Sequence, residues 1–290
     1  MMSLRVCVDP HPPLARFDAI ATAKQSPRSE RLLDLKDILA SEYAAYQSAC
    51  PDLESMPLLP LSEQARGDLL HCYQGETQPL EQLKALIRAR QAPEQSAVCQ
   101  YCVLNAPRTF DHYLPESLYP QFSVYAQNLM PCCWDCNQKR STAWRNSRGE
   151  RMHMHLYSDV IDQGVQVLFA EISVAETPLA TFRLELGAAH AHPFYQLLHR
   201  HFTQLGLLKR YQDASSAKLN EHHRTIHVQG RHFGRKGCIH VLREQLAEDR
   251  IVLGPHNWKV ALLQGVLETP EFIQFALDTS PSRENEKDGT

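Results

Sequence analysis

Two cysteine pairs, Cys99-Gln100-Tyr101-Cys102 and Cys133-Trp134-Asp135-Cys136, have the spacing that lets each pair turn two thiolates toward one ion. Together they supply four soft ligands, enough to close a tetrahedral zinc site with no position left for a substrate. Such a site is structural: it ties together the two ends of the segment between the pairs. A redox dithiol is the competing reading of either pair. The presence of two pairs, without a thioredoxin-like βαβ pattern, favours zinc. Cys132 offers a second spacing to Cys136, but the two-residue gap of the first pair assigns the ligand to Cys133 and makes Cys132 a small buried side chain.

Between and just after the pairs stand Phe110-Asp111-His112-Tyr113-Leu114-Pro115, then Gln127-Asn128-Leu129-Met130-Pro131, then Asn137 directly behind the last cysteine. A lone Asp-His or Asn-Leu carries no information. Taken in order, from Cys99 to Lys139, the five elements resemble the zinc-ribbon branch of the HNH nucleases. The resemblance implies an endonuclease that hydrolyses phosphodiester bonds. His112 is its general base, because an imidazole titrating near neutrality can deprotonate an attacking water. Asp111 and Asn137 are implied to hold one Mg²⁺ or Mn²⁺, since oxygen ligands suit a hard cation. Asn128 is implied to brace the loop that aims His112, with the four-cysteine Zn²⁺ separate and structural.

The third letter of the motif is Asn137 rather than His, which keeps a hard oxygen ligand. Lys139 matches the family pattern only loosely and reads equally as a phosphate contact or as helix surface. A narrower likeness lies in Asp-His-Tyr-Leu-Pro-Glu-Ser-Leu-Tyr-Pro and Asn-Leu-Met-Pro-Cys-Cys. These strings resemble HNH nucleases of bacterial anti-phage systems such as the Septu-type pairs, and imply an ATPase partner that controls cleavage. DNA is the favoured substrate. The alternatives are an RNA- or tRNA-cleaving nuclease and a zinc-dependent nucleic-acid-binding module without catalysis.

The elements that must position these residues follow from periodicity. Residues 4–8 alternate as a short strand. Helical spacing runs from Ser29, a candidate cap, to Ser48, and again over 62–73 and 79–90. The expected organisation is a helical region 1–95, an HNH core 96–151, an α+β or helical region 152–277, and a disordered tail 278–290. The fold class is therefore α+β, with a central ββα-metal module implied by the resemblance. A short helix is expected within 137–146, a hairpin over 165–186, and helices after Pro193 and over 215–228, 236–249 and 257–277. Gly230 and Gly234 suggest a flexible basic loop, and Trp258 a buried helix residue.

The net charge of −3 gives no global support for nucleic-acid binding, but charge is unevenly distributed. Lys139, Arg140, Arg145, Arg148 and Arg151 form one basic region. Residues 209–236 form a second, which reads about equally as a phosphate-tracking surface and as a solvated face. Histidines crowd the chain after residue 150, including His153, His155, His199, His201, His223 and His227. No companion ligands complete a second metal site, so they read as core-edge imidazoles. No apolar run approaches the roughly 18 residues of a membrane span, and nothing at the amino terminus reads as a secretory signal. A cytoplasmic protein without membrane association is expected.

Overall fold

Helix-forming stretches punctuated by proline build the first part of the chain: α1 (Pro13–Thr22), α2 (Arg28–Leu33), α3 (Lys36–Ala49), α4 (Glu63–Gln74), α5 (Gln78–Ala89) and the short α6 (Pro93–Ala97). Prolines open α1, α5 and α6, where a missing backbone N–H costs nothing, and the Ser62 hydroxyl caps α4 by accepting from the Ala65 amide. The computed structural model describes residues 12–142, 144–159, 164–187 and 192–280. The strand expected over 4–8 and the polar residues 281–290 lie outside the described residues.

The helix expected from Ser29 to Ser48 is in fact two. α2 starts behind Pro27, so Ser29 sits inside its first turn and does not cap it. The carboxylate of Asp68 on α4 accepts from both Arg28 and Arg31, which orients α2 independently of α3. Phe17, Ile20, Leu32, Leu39, Leu69, Leu80, Leu83 and Ile87 from these helices share one core with Phe110, Val124 and Leu129 of the central segment.

That central segment contains β1 (Thr109–His112), β2 (Leu129–Cys132) and α7 (Trp134–Arg140). The strands are antiparallel, with Thr109 opposite Cys132 and His112 opposite Leu129. α7 packs against β1. The helix expected within 137–146 begins earlier, behind Cys133, and ends where Ser141 turns the backbone at φ 42°.

The chain divides into two compact units, Met2–Ile161 with Gln196–Leu205, and Asp162–Tyr195 with Gly206–Thr290. The segment Gln196–Leu205 lies in α8 (Pro193–Leu205). In the second unit the expected hairpin forms from β3 (Leu168–Ser173) and β4 (Leu179–Leu184). Leu168, Ala170 and Ile172 alternate inward, as period two requires. α9 (Leu207–Leu253) packs on β4, and α10 (Trp258–Glu268) packs on β3. α11 (Pro270–Asp278) closes the unit along α9, and Pro270 divides the expected 257–277 helix in two. Trp258 is buried against Tyr211 and Phe182.

The two helices expected within 215–249 form the two arms of α9, which meet at a kink, and the flexible loop expected between them is reduced to that break. α9 runs through Gly230, and only Gly234 leaves helical geometry, at φ 66° and ψ 175°. Packing of α11 against Gly230 holds that turn in the helix. The fold is thus helix-rich and mixed, with two two-stranded antiparallel sheets among the described residues. None of its described helices is long and apolar enough to cross a membrane.

α10 lies so close to β3 that a Cβ on Gly265 would sit 2.5 Å from the Ala170 carbonyl oxygen, a backbone atom that cannot rotate away. Gly265→Ala is expected to cost about 1–3 kcal/mol from overpacking, read as a lower urea midpoint. An unchanged midpoint would show that the helix can slide off the strand freely.

Candidate metal centre and adjoining cavity

The first cysteine pair is shaped by a tight turn in which the Cys99 carbonyl accepts from both the Cys102 and the Val103 amides. Val103 closes it at φ 54°, a region disfavoured for a β-branched residue. The second pair is shaped by the start of α7. Cys133 precedes its first turn and Cys136 lies within it, so both sulfurs face the turn around Cys99. All four cysteines are buried, and their sulfurs lie within 4.8 Å of one another.

Burial and the three neighbouring thiols push the Cys99 thiol well above its ordinary range. Hydrogen bonding, first from Cys102, pulls Cys133 far below it. Four such groups cannot all ionise in a buried pocket without a cation. The set therefore has the donors, geometry and electrostatic need for one structural metal such as zinc. Cys132 faces elsewhere. Its thiol lies 3.4 Å from the Thr109 hydroxyl, and burial raises it to about 12.

The knuckle is anchored from two sides. From α8, His201 contacts the Tyr101 carbonyl through Nε2 at 3.0 Å and the Met154 amide through Nδ1, so its Nε2 carries the proton. From α7, Arg140 donates to the Tyr101 hydroxyl at 2.9 Å and to the Tyr113 carbonyl at 3.3 Å, with its guanidinium over both tyrosine rings.

Asp111 and His112 are successive strand residues, so their side chains leave opposite faces of β1. Asp111 is buried in an ion pair with Arg140, and its Oδ2 also accepts from the Tyr101 hydroxyl at 3.2 Å. His112 turns the other way, against the Tyr73 ring of α4 at 4.4 Å. Its Nε2 meets the Ser123 carbonyl at 2.8 Å and must donate there, which leaves the lone pair on Nδ1. Burial lowers the proton affinity of His112, and the Glu116 carboxylate 3.7 Å away partly opposes that.

Asn137, on the inner side of α7, donates its amide to the Phe110 carbonyl at 3.3 Å and to Thr109 Oγ1 at 3.5 Å. Its Oδ1 is left without a partner among the described residues. Asp111, His112 and Asn137 line one cavity of about 350 Å³, together with Tyr73, Glu116 and Ser141. Lys139 is exposed and outside this lining.

Asn128 is absent from the cavity wall and wholly buried. Its amide donates to the carbonyls of Leu114 and Phe122, while its Oδ1 accepts from the Leu114 amide at 2.7 Å. These bonds cross-tie the loop over 113–128. Tyr46 of α3 donates toward Asn128 Oδ1 and contacts His155 Nε2 at 3.0 Å.

Three residues escaped sequence reasoning. Arg140, the third residue after Asn137, reads as one basic residue among several. Tyr73 and Glu116 carry no motif signal. Of the paired histidines, His153, His155, His201 and His223 are buried, His227 is half-buried and His199 is exposed; His153 and His155 lie outside any strand. Among the described residues, the only group of three or more potential metal ligands found is the cysteine quartet.

No protein-family profile matches the chain, and no solved structure matches it. The chain is 31% identical over 130 residues to Protein ea31 of Escherichia phage lambda, a match spanning 42% of each chain. The chain thus spans less than half the length of that curated relative.

Cys133→Ala should abolish stoichiometric zinc, measured by elemental analysis, whereas Cys132→Ala should retain it. The reverse pattern would assign the ligand to Cys132.

Acid sensitivity follows from the buried imidazoles. Burial lowers His155 to about 3 and His201 and His222 to about 4. The unfolded chain takes up these protons near pH 6.5, so the native state is fully favoured above that pH and loses ground as pH falls toward 4. At pH 5 each histidine is expected to cost about 2 kcal/mol relative to pH 7.5. Thermal midpoints should fall over this window, and His201→Gln should make the fall shallower. A midpoint independent of pH between 7 and 5 would contradict the assignment.

Proposed function

We propose that the chain is a metal-dependent HNH-type endonuclease that hydrolyses phosphodiester bonds, with DNA as the favoured substrate. One observation carries the reading: His112, whose lone pair is left on Nδ1, Asn137 and Asp111 line one cavity beside the cysteine quartet. The order β1, β2, α7 matches what a ββα-metal module requires.

The donor set was tested against a hard divalent cation. Both Arg140 and Tyr101 engage Asp111 Oδ2, and Oδ1 has no hydrogen-bond partner among the described residues. With the Asn137 Oδ1, this leaves two oxygens without a hydrogen-bond partner among the described residues, both on residues that line the cavity. That fits Mg²⁺ or Mn²⁺, which bind through one or two protein oxygens and complete their shell with water and phosphate. Such an ion, when bound, supplies positive charge to the phosphate and the leaving oxygen.

The protein's own residues do the rest. The Ser123 carbonyl fixes the His112 tautomer, and the lowered proton affinity keeps the ring neutral at pH 7, so Nδ1 can accept a proton from water. Asn128 holds the loop that carries Ser123 near His112, through its bond to the Phe122 carbonyl. Control by an ATPase partner belongs to the same reading and predicts low activity of the isolated chain.

A second reading has its own observation. The Arg140 guanidinium neutralises Asp111, which weakens it as a metal ligand and favours a module that binds nucleic acid without cutting it.

Wild type and His112→Ala, both shown to hold zinc and melt alike, should be incubated with plasmid, linear duplex, single-stranded DNA and tRNA in Mg²⁺ or Mn²⁺, with native-host extract as a further arm. His112→Ala is expected to lose about 10²- to 10⁴-fold in rate, the usual contribution of a general base. Identical products from both proteins on every substrate would falsify the catalytic assignment. Binding without cleavage in every arm, with no Mn²⁺ taken up at the cavity, would favour the second reading.

A further inference from the structure

From His222 to Arg243 the chain contains no aspartate or glutamate, yet it carries Arg224, Arg231, Arg235, Lys236 and Arg243. Earlier in α9, cations are paired in the ordinary way, Lys209 with Asp213 and Lys218 with Glu221. Among the described residues, none of the five forms an ion pair. Arg235 donates to the Gln274 side chain at 2.7 Å, and the Gln274 amide in turn donates to Asp278.

Their placement is regular. Arg224 and Arg231 stand seven residues apart on one face before Gly234, and Lys236 and Arg243 stand seven apart afterwards; all four are exposed. Each arm of α9 therefore presents a cationic stripe. Between the arms, Arg231 through Lys236 are all exposed, and Phe233 stands 64% open to solvent. At the break, a Cβ on Gly237 would lie 2.6 Å from the Phe233 Cβ, so only glycine leaves Phe233 its room.

We propose that this elbow is a nucleic-acid contact surface, with phosphates along the two stripes and an unpaired base on Phe233. Guanidinium forks bind phosphate oxygens in pairs, and an exposed aromatic ring among cations is the usual platform for a single-stranded base. An anionic bilayer would instead need a continuous apolar face beneath the cations. Ile226, Leu242 and Leu246 of α9 are turned inward, and the exposed Val228, Phe233 and Val241 stand apart from one another along the helix without forming a continuous apolar face. The proposal extends the nuclease reading to where substrate is held. It rests on charge and exposure in the second unit, so its failure and that of the cleavage reading are separable.

The test uses full-length His112→Ala protein, which cannot consume the probe if His112 is the base. Fluorescence anisotropy with single-stranded DNA, duplex DNA and single-stranded RNA of matched length would be compared with vesicles of phosphatidylcholine carrying about 30% phosphatidylserine. Arg231→Glu/Lys236→Glu should weaken binding by about 10-fold or more and lower the log–log salt slope by about 1.5. Phe233→Ala should weaken single-strand binding about 5- to 100-fold and leave the slope unchanged. Lys209→Glu/Lys218→Glu, outside the acid-free run, should change affinity less. Binding of both elbow variants at wild-type strength, a preference for vesicles, or no binding of any nucleic acid by the parent protein would each overturn the proposal. Binding lost at the elbow would uphold it even if wild type proved unable to cleave.

Discussion

Four thiols within 4.8 Å of one another in a dry pocket are the constraint on which the central segment depends. Ionised, they repel; protonated, they leave polar sulfurs crowded together. A divalent cation removes both problems. Structural zinc contributes about 10–16 kcal/mol in small zinc-binding peptides, as much as the whole stability of a typical domain. An ion held by this quartet would fasten the turn before β1 to the start of α7. The hairpin between them cannot drift from the helix, and Asn137, one residue beyond the last thiol, is placed against β1 at its Phe110 carbonyl.

The same geometry explains why the amino-terminal helices are not an appendage. The wall behind His112 comes from Tyr73 of α4, Arg88 of α5 stacks on Phe110, and Tyr46 of α3 reaches Asn128. A two-stranded hairpin is marginal alone in water. Sharing a core with α1 through α5 lets it hold a half-buried histidine in one tautomer and a buried asparagine with its amide fully engaged.

Charge is balanced within the site rather than across the molecule. Asp111 and Arg140 are both buried, and either one alone would be strongly unfavourable there. Each charge offsets the other, and the Tyr101 hydroxyl adds a hydrogen bond to the same carboxylate oxygen. The five cations of α9 present the opposite case, because none of them forms an ion pair among the described residues and their field reaches solvent.

Local spacing determined much of this by itself. The two cysteine pairs, the β3–β4 hairpin, the helices near 62–90 and the buried helix at Trp258 all depend on contacts within a few residues, which periodicity and turn chemistry encode directly. Boundaries and partners depended on the tertiary structure. Ser29 fails as a cap because Asp68, far along the chain, captures Arg28 and Arg31. Gly230 stays helical because α11 packs on it. The choice of Cys133 over Cys132 was set by spacing, and the handover from β2 to α7 turns Cys133 toward the other three sulfurs. The partner of Asp111, the tautomer of His112 and the burial of His155 and His201 were invisible for the same reason: each is decided by a side-chain direction and a contact across long sequence separation, and spacing along a chain carries neither.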